Sequence, residues 1–279
     1  MKIITNEIIK NFENYLYEEE RSDNTIEKYI RDIRFFREWL GGKAVDKSVV
    51  LQYKKELCER YAPKSVNSIL SSLNALFMYM NWYDLKVKTL KIQRQIFSSK
   101  DKELTKTEYE RLLTAAKDRK NERLYYLMQT IASTGLRVSE IKYVTCDAVK
   151  SGQTVINCKG KIRQIFLPKQ LCKMLKEYMK SQSITSGSVF ISRNGRPLDR
   201  SNIWRMLKDA CETAGVSKDK VFPHNFRHLF ARTFYSLQKD IVRLADILGH
   251  SSVETTRIYT MESGTEHIKQ LQKLGLLRC

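Results

Sequence analysis

Five side chains between positions 137 and 259 of this 279-residue chain have the types needed to break and reseal a phosphodiester. His224-Asn225-Phe226-Arg227-His228 opens the cluster, Leu248-Gly249-His250 follows, and Thr256-Arg257-Ile258-Tyr259 places a tyrosine nine residues after His250. Upstream, Thr134-Gly135-Leu136-Arg137-Val138-Ser139-Glu140 supplies a second arginine. A phosphodiester repels nucleophiles, and attack on it builds a more highly charged pentacoordinate phosphorus. A site can meet that charge without metal by using two guanidiniums, each permanently charged and each a planar fork that matches two phosphate oxygens. Arg137 and Arg227 are the pair, and pre-aligned donors of this kind are worth roughly 3 kcal/mol each. Tyr259 offers a phenolic oxygen as nucleophile. Its ordinary pKa near 10 calls for a neighbouring base at neutral pH, and a departing alkoxide calls for an acid. Taken singly, each of these residues fits a core or surface role as well, so the weight lies on their joint order.

That order, completed by Lys159 between Arg137 and His224, resembles the tyrosine recombinase (phage integrase) family, in particular its Xer-like two-domain members, and the likeness covers nearly the whole chain. The resemblance implies a site-specific recombinase that cuts and rejoins DNA through a covalent 3′-phosphotyrosine, leaving a free 5′-hydroxyl that later reverses the step. It implies that His224 is the base, that Lys159 in a β-hairpin protonates the 5′-oxygen, and that His250 hydrogen-bonds the scissile phosphate. His228 matches a position that is more often structural and is left outside the site. Phe226 stands where the family usually has Leu. The hairpin also departs from the common Gly-Lys-Gly-x-Lys-x-Arg: here it reads Cys158-Lys159-Gly160-Lys161-Ile162-Arg163, one turn residue short. Counting from either strand still selects Lys159, although a shortened turn could re-aim either lysine.

Composition agrees with a polyanionic partner. The formal charge is +19, and a body this basic repels itself unless it exists to meet such a partner. The excess is uneven: residues 1–97 carry 17 Lys and Arg against 13 Asp and Glu, whereas 98–279 carry 33 against 18. The expected partner is double-stranded DNA, and the resemblance adds inverted-repeat half-sites and a homo-tetramer on paired sites. No Gly-x-x-x-x-Gly-Lys-Ser/Thr phosphate loop is present, so ATP is not expected. Four histidines without clustered carboxylates offer no convincing metal site, which counts against a metallonuclease. Six cysteines without Cys-x-x-Cys pairs, and no apolar run near the roughly 20 residues that cross a bilayer, predict a cytoplasmic protein away from membranes. Two rivals share the scaffold. A non-catalytic DNA-binding regulator is disfavoured by the intact Arg137, Arg227 and Tyr259, and a type IB topoisomerase by the compact two-domain layout.

The elements that must position these residues are mostly helical, and the fold class is mainly α with a small antiparallel sheet. Residues 1–85 predict four helices, with Ile26, Ile30, Ile33 and Phe36 on one face and Val66, Leu70, Leu73 and Phe77 on another, and the resemblance makes them the family's core-binding (SAM-like) domain. Aromatic residues at that spacing are assigned to packing. The resemblance gives this bundle the role of a DNA clamp, with Lys28, Lys54 and Lys64 as phosphate contacts. Residues 86–103, basic and aperiodic, read as a linker, and 104–279 as an α+β catalytic domain. Within it, Gly135 is expected to end one helix and Arg137 to begin the next, Val138 to Val144. Period-two runs at 154–158 and 162–166 predict a hairpin, Val189-Phe190-Ile191 a third strand, and Trp204 a core position on a helix from Ser201 to Ala214. Gly249 should stop the helix of Leu244 and Leu248. Ser251 with Glu254 should then cap a helix that carries Tyr259 late in its length. Ile268, Leu271, Leu274 and Leu277 form a helix-like stripe in the tail, which the resemblance suggests docks on a neighbouring protomer.

Overall fold

The computed structural model describes residues 2–92, 102–158, 161–259 and 272, with the side chains of Cys158 and Lys161 left aside. The chain divides into two compact units, Met1–Arg94 and Gln95–Cys279. The first is built from four helices, α1 (Asn6–Glu18), α2 (Asp23–Leu40), α3 (Lys47–Arg60) and α4 (Pro63–Tyr79). Each begins where the sequence supplies a starter: Thr5 and Asp46 accept backbone N–H bonds from Ile8 and Val49, and Pro63 sits at the first position of α4, where its missing N–H is no loss. Phe12, Phe36 and Phe77 are fully buried in the core they share, so the aromatic stripe packs rather than stacks on bases. Lys28, expected to contact phosphate, has partners within the bundle. Its ammonium is bound by Asp32 Oδ2 (2.7 Å), the Ser68 carbonyl (2.9 Å) and Ser72 Oγ (3.0 Å), which pins α2 to α4 around a buried carboxylate.

The second unit begins with α5 (Lys106–Asp118), opened by a capping box in which Thr105 and Glu108 bond each other's backbone N–H groups, and α6 (Glu122–Thr134). A 3₁₀ turn, Val138–Tyr143, leads to the short α7 (Cys146–Ser151) and the antiparallel pair β1 (Gln153–Cys158) and β2 (Lys161–Phe166). Then follow α8 (Lys169–Ser181), α9 (Arg200–Ala214), α10 (Pro223–Gln238), α11 (Ile241–Leu248) and α12 (Val253–Arg257). The hairpin register runs from Gln153 opposite Phe166 to Cys158 opposite Lys161. The core is contributed by α5 to α10, with Leu127, Ile131, Leu175, Phe190, Ile203, Leu207 and Phe226 among its buried members. Among the described residues no helix is long and apolar enough to cross a membrane.

Three local expectations are corrected. Val189-Phe190-Ile191 is not a strand: the Val189 N–H bonds the Val144 carbonyl, while Phe190 accepts from Leu198, so the segment switches partners within two residues and leaves only isolated bridges. Both Val189 and Phe190 are buried, so the apolar run is a core tether and not a pleated ribbon. Trp204 is 51% exposed, because the buried stripe of α9 runs through Ile203, Leu207 and Cys211 and leaves Trp204 one residue round, under the Lys208 ammonium at 4.9 Å. Arg137 is followed by a 3₁₀ turn, not an α-helix, and caps it as the last extended residue.

Candidate active site

The second arginine is positioned by a backbone reversal. Gly135 closes α6 in the left-handed conformation (φ 65°), where a Cβ would lie 2.5 Å from Phe230 Cδ1, so glycine lets α6 and α10 approach. Two residues later the Arg137 backbone N–H donates to Glu140 Oε2 (2.7 Å) and its Nη1 to Glu140 Oε1 (3.0 Å). Glu140 is buried, and its carboxylate also pairs with Arg163 from β2. One carboxylate therefore fixes two guanidiniums, and the geometry is stiffer than either pair alone. Arg163 Nη1 reaches the Ile247 carbonyl at 2.8 Å, tying the hairpin to the end of α11.

That end is a tight corner. Gly249 has φ 62°, and a Cβ there would sit 2.4 Å from Arg163 Cδ. The His250 N–H closes the turn on the Ala245 carbonyl (3.0 Å), so His250 leaves the helix axis as expected. The cap of α12 lies one residue beyond the expected position: Ser252, not Ser251, accepts from the Glu254 N–H (3.2 Å), since Ser251 is still leaving the turn. The helix is short, and Tyr259 stands in the turn after it, with its N–H on the Thr256 carbonyl (2.9 Å), instead of late on the helix.

Arg227 lies at the centre. It is 1% exposed, and its Nη1 donates to the Gly135 carbonyl (2.5 Å) and its Nη2 to the Leu248 carbonyl (2.7 Å). Burial, then the nearby Arg137, pull its pKa down to about 10, while the neighbouring Tyr259 phenol favours the charged form. Nη2 also lies 3.0 Å from His250 Nε2. Because Arg227 can only donate, His250 Nε2 accepts, and the ring's proton is on Nδ1, 2.8 Å from the buried Thr256 Oγ1. Burial and the charges of Arg227, Arg137 and Arg163 push the His250 pKa down to about 4 and keep the imidazole neutral.

Tyr259 is 3% exposed, packed with Ala231, Leu244 and Leu248. Its ring faces His250 in near-parallel stacking (5.9 Å between centroids) and meets His228 edge-on at 4.6 Å. His224, one helical turn before His228 and exposed at the rim, is 4.5 Å from that ring; its own pKa is lowered by partial burial, Arg227 and Arg137. The structure thus brings Arg137, Arg227, His224, His250 and Tyr259 into one cluster, whereas Lys159 lies outside the described residues. Glu140, Arg163, His228 and Thr256 join them without having been singled out. For Glu140 the available signal was its place three residues after Arg137, at the start of a helical turn; His228 stood one turn after His224 and was set aside.

The family models settle the relationship. The phage integrase family model matches residues 102–266, and the model of the phage integrase N-terminal SAM-like domain matches residues 9–83. The chain belongs to the phage integrase family. Within the family it is 32% identical to tyrosine recombinase XerA of Thermococcus kodakarensis, over 98% of this chain and 96% of that protein. It is 26% identical to tyrosine recombinase XerD of Vibrio cholerae, over 91% of each. A lambda integrase dimer bound to a core site shares the fold, with a TM-score of 0.76 and 18% identity over 93% of this chain and 96% of that one. As in that family, a helical SAM-like unit precedes a catalytic unit with a small antiparallel sheet.

Proposed function

We propose that this site-specific tyrosine recombinase uses Tyr259 as its nucleophile and Arg137 and Arg227 as the cradle of the scissile phosphate. The phenolic oxygen attacks phosphorus and the bond to the 5′-oxygen breaks. DNA is then joined to Tyr259 through its 3′-phosphate, and attack by a 5′-hydroxyl later reverses the step. His224 takes the phenolic proton, Lys159 gives a proton to the departing 5′-oxygen, and His250 steadies the phosphate. Because the phosphoester bond energy is kept on the enzyme, no nucleoside triphosphate is consumed.

One observation carries this reading: the Tyr259 ring is held between His228 and His250, beside Arg227, a guanidinium only 1% exposed. A tyrosine with a purely structural role gains nothing from a cationic, histidine-lined setting. The wider arrangement belongs to the same proposal. Residues 1–85 act as a DNA clamp tethered by 86–103 to the catalytic domain, 104–279. The substrate is duplex DNA with inverted-repeat half-sites, engaged as a homo-tetramer in the cytoplasm, and the tail from Thr265 to Cys279 docks on a neighbouring protomer. A suicide duplex nicked near the cleavage position traps the covalent complex. Wild type should give a denaturation-resistant adduct that persists in EDTA, and Tyr259→Phe should bind the duplex without forming it. An adduct of normal yield from Tyr259→Phe contradicts the proposal.

A further inference from the structure

Of the residues around the nucleophile, His228 is the one with no assigned task and an unmet polar atom. Its Nε2 is buried and makes no hydrogen bond among the described residues. A buried polar atom left in that state costs about 1–3 kcal/mol, so its persistence calls for a physical reason. Its ring stands perpendicular to Tyr259 (89°) at 4.6 Å, in contact with the side chain that must move electrons to phosphorus. Arg227, the charged neighbour of the phenol, has no acceptor to offer, so the phenol's own hydrogen must be donated elsewhere. His250 Nε2 is already taken by Arg227, and His250 Nδ1 by Thr256. Burial, His224 and Arg227 bring the His228 pKa down to about 4, so at neutral pH this imidazole is an acceptor and not a cation.

We propose that His228 is a positioning residue for the nucleophile: its imidazole edge sets the plane of the Tyr259 ring, and Nε2 accepts the phenol's hydrogen bond as the oxygen turns from Arg227 toward an entering phosphate. The inference rests on Tyr259 being the nucleophile. An incoming phosphodiester competes for Arg227, and Nε2 then gives the phenol a partner as Arg227 turns to the phosphate. The hydrogen bond orients the oxygen's lone pairs and raises its electron density until the same proton passes to His224, whose ring lies 4.5 Å from that of His228.

The test compares His228→Phe, which keeps an aromatic plate and removes the acceptor, with His228→Gln, which returns an acceptor near the place of Nε2. Both are assayed by single-turnover cleavage of the nicked suicide duplex, with Tyr259 either natural or replaced by 3-fluorotyrosine, a more acidic phenol. The expected outcome is cleavage about tenfold slower for His228→Phe, matching one neutral hydrogen bond, and largely restored in His228→Gln, with half-site affinity unchanged and no loss of Tm. The deficit of His228→Phe should grow with the fluorinated phenol, because a more acidic hydroxyl gives a stronger hydrogen bond to the Nε2 that the variant lacks. Wild-type speed in His228→Phe, a deficit that fluorine leaves unchanged, or equal losses of rate and Tm in both variants would overturn the inference. Failure of the underlying assignment looks different, since wild type itself would then form no adduct through Tyr259.

Discussion

Glu140 sets the rigidity of the cleft more than any residue that faces it. Its buried carboxylate serves both Arg137 and Arg163, and removing one member of a buried charge network leaves the others uncompensated. Glu140→Gln should lower stability by about 3 kcal/mol, read by urea unfolding, and should slow cleavage more than it weakens half-site binding. Gly249→Ala meets both a left-handed φ and Arg163 Cδ at 2.4 Å. A loss of about 2 kcal/mol or more is expected, again by urea unfolding; a stability equal to wild type would show that the corner yields easily. The histidines give a pH signature. His228 and His250 are neutral in the fold with pKa values near 4, below the ordinary 6.5, so the unfolded chain binds protons that the folded one refuses. Stability should be flat above about pH 6.5 and fall as pH drops toward about 4, with His228 alone worth on the order of 3 kcal/mol across that window. Unfolding midpoints that do not change over this range would contradict the neutral assignment. At this scale the grouping of Arg137, Arg227, His224, His250 and Tyr259 was legible, because their types and order carry the proposed chemistry. Glu140, Arg163 and His228 were not, because a carboxylate after a turn, an arginine in a strand and a histidine in a helix acquire their meaning only from partners far away in sequence.

At the scale of elements, the helices were legible wherever apolar spacing and a starter or stopper coincided, as at Thr105 with Glu108 and at Gly135. The failures share a cause. Val189 to Ile191 has strand composition, yet its hydrogen bonds go to two different partners, and no local pattern reveals that. Trp204 lies next to a buried position on α9, and hydrophobicity alone does not tell which of two neighbours faces inward. The hairpin links to the surroundings of Tyr259 through Arg163, whose guanidinium spans Glu140 and the carbonyl of Ile247. Its tip is expected to deliver Lys159 to the 5′-oxygen. A 5′-bridging phosphorothioate tests this, because a thiolate departs without an acid: Lys159→Ala should cleave the ordinary duplex poorly and recover on the sulfur-bridged one. Recovery by Lys161→Ala instead would move the acid to that residue.

For the whole molecule, the charge of +19 is a statement about association more than about fold. Binding to a half-site should weaken steeply as salt rises, since each neutralised phosphate releases counterions, and a flat salt response would argue against a phosphate-tracking surface. Truncation after Gly264 should impair assembly on paired sites more than binding to one half-site; equal losses would remove the tail from the interface between protomers. The family was legible from the order of a few residues over most of the chain, whereas the target sequence and the use made of recombination are properties of the DNA. The central claim is the identity of one oxygen among 14 tyrosines. Trapping wild type on a nicked suicide duplex, digesting the adduct and sequencing the nucleotide-bearing peptide by mass spectrometry reads it directly. The peptide should contain Tyr259 with the 3′-phosphate on its phenolic oxygen; a nucleotide on any other tyrosine, or on a serine or cysteine, would contradict the account.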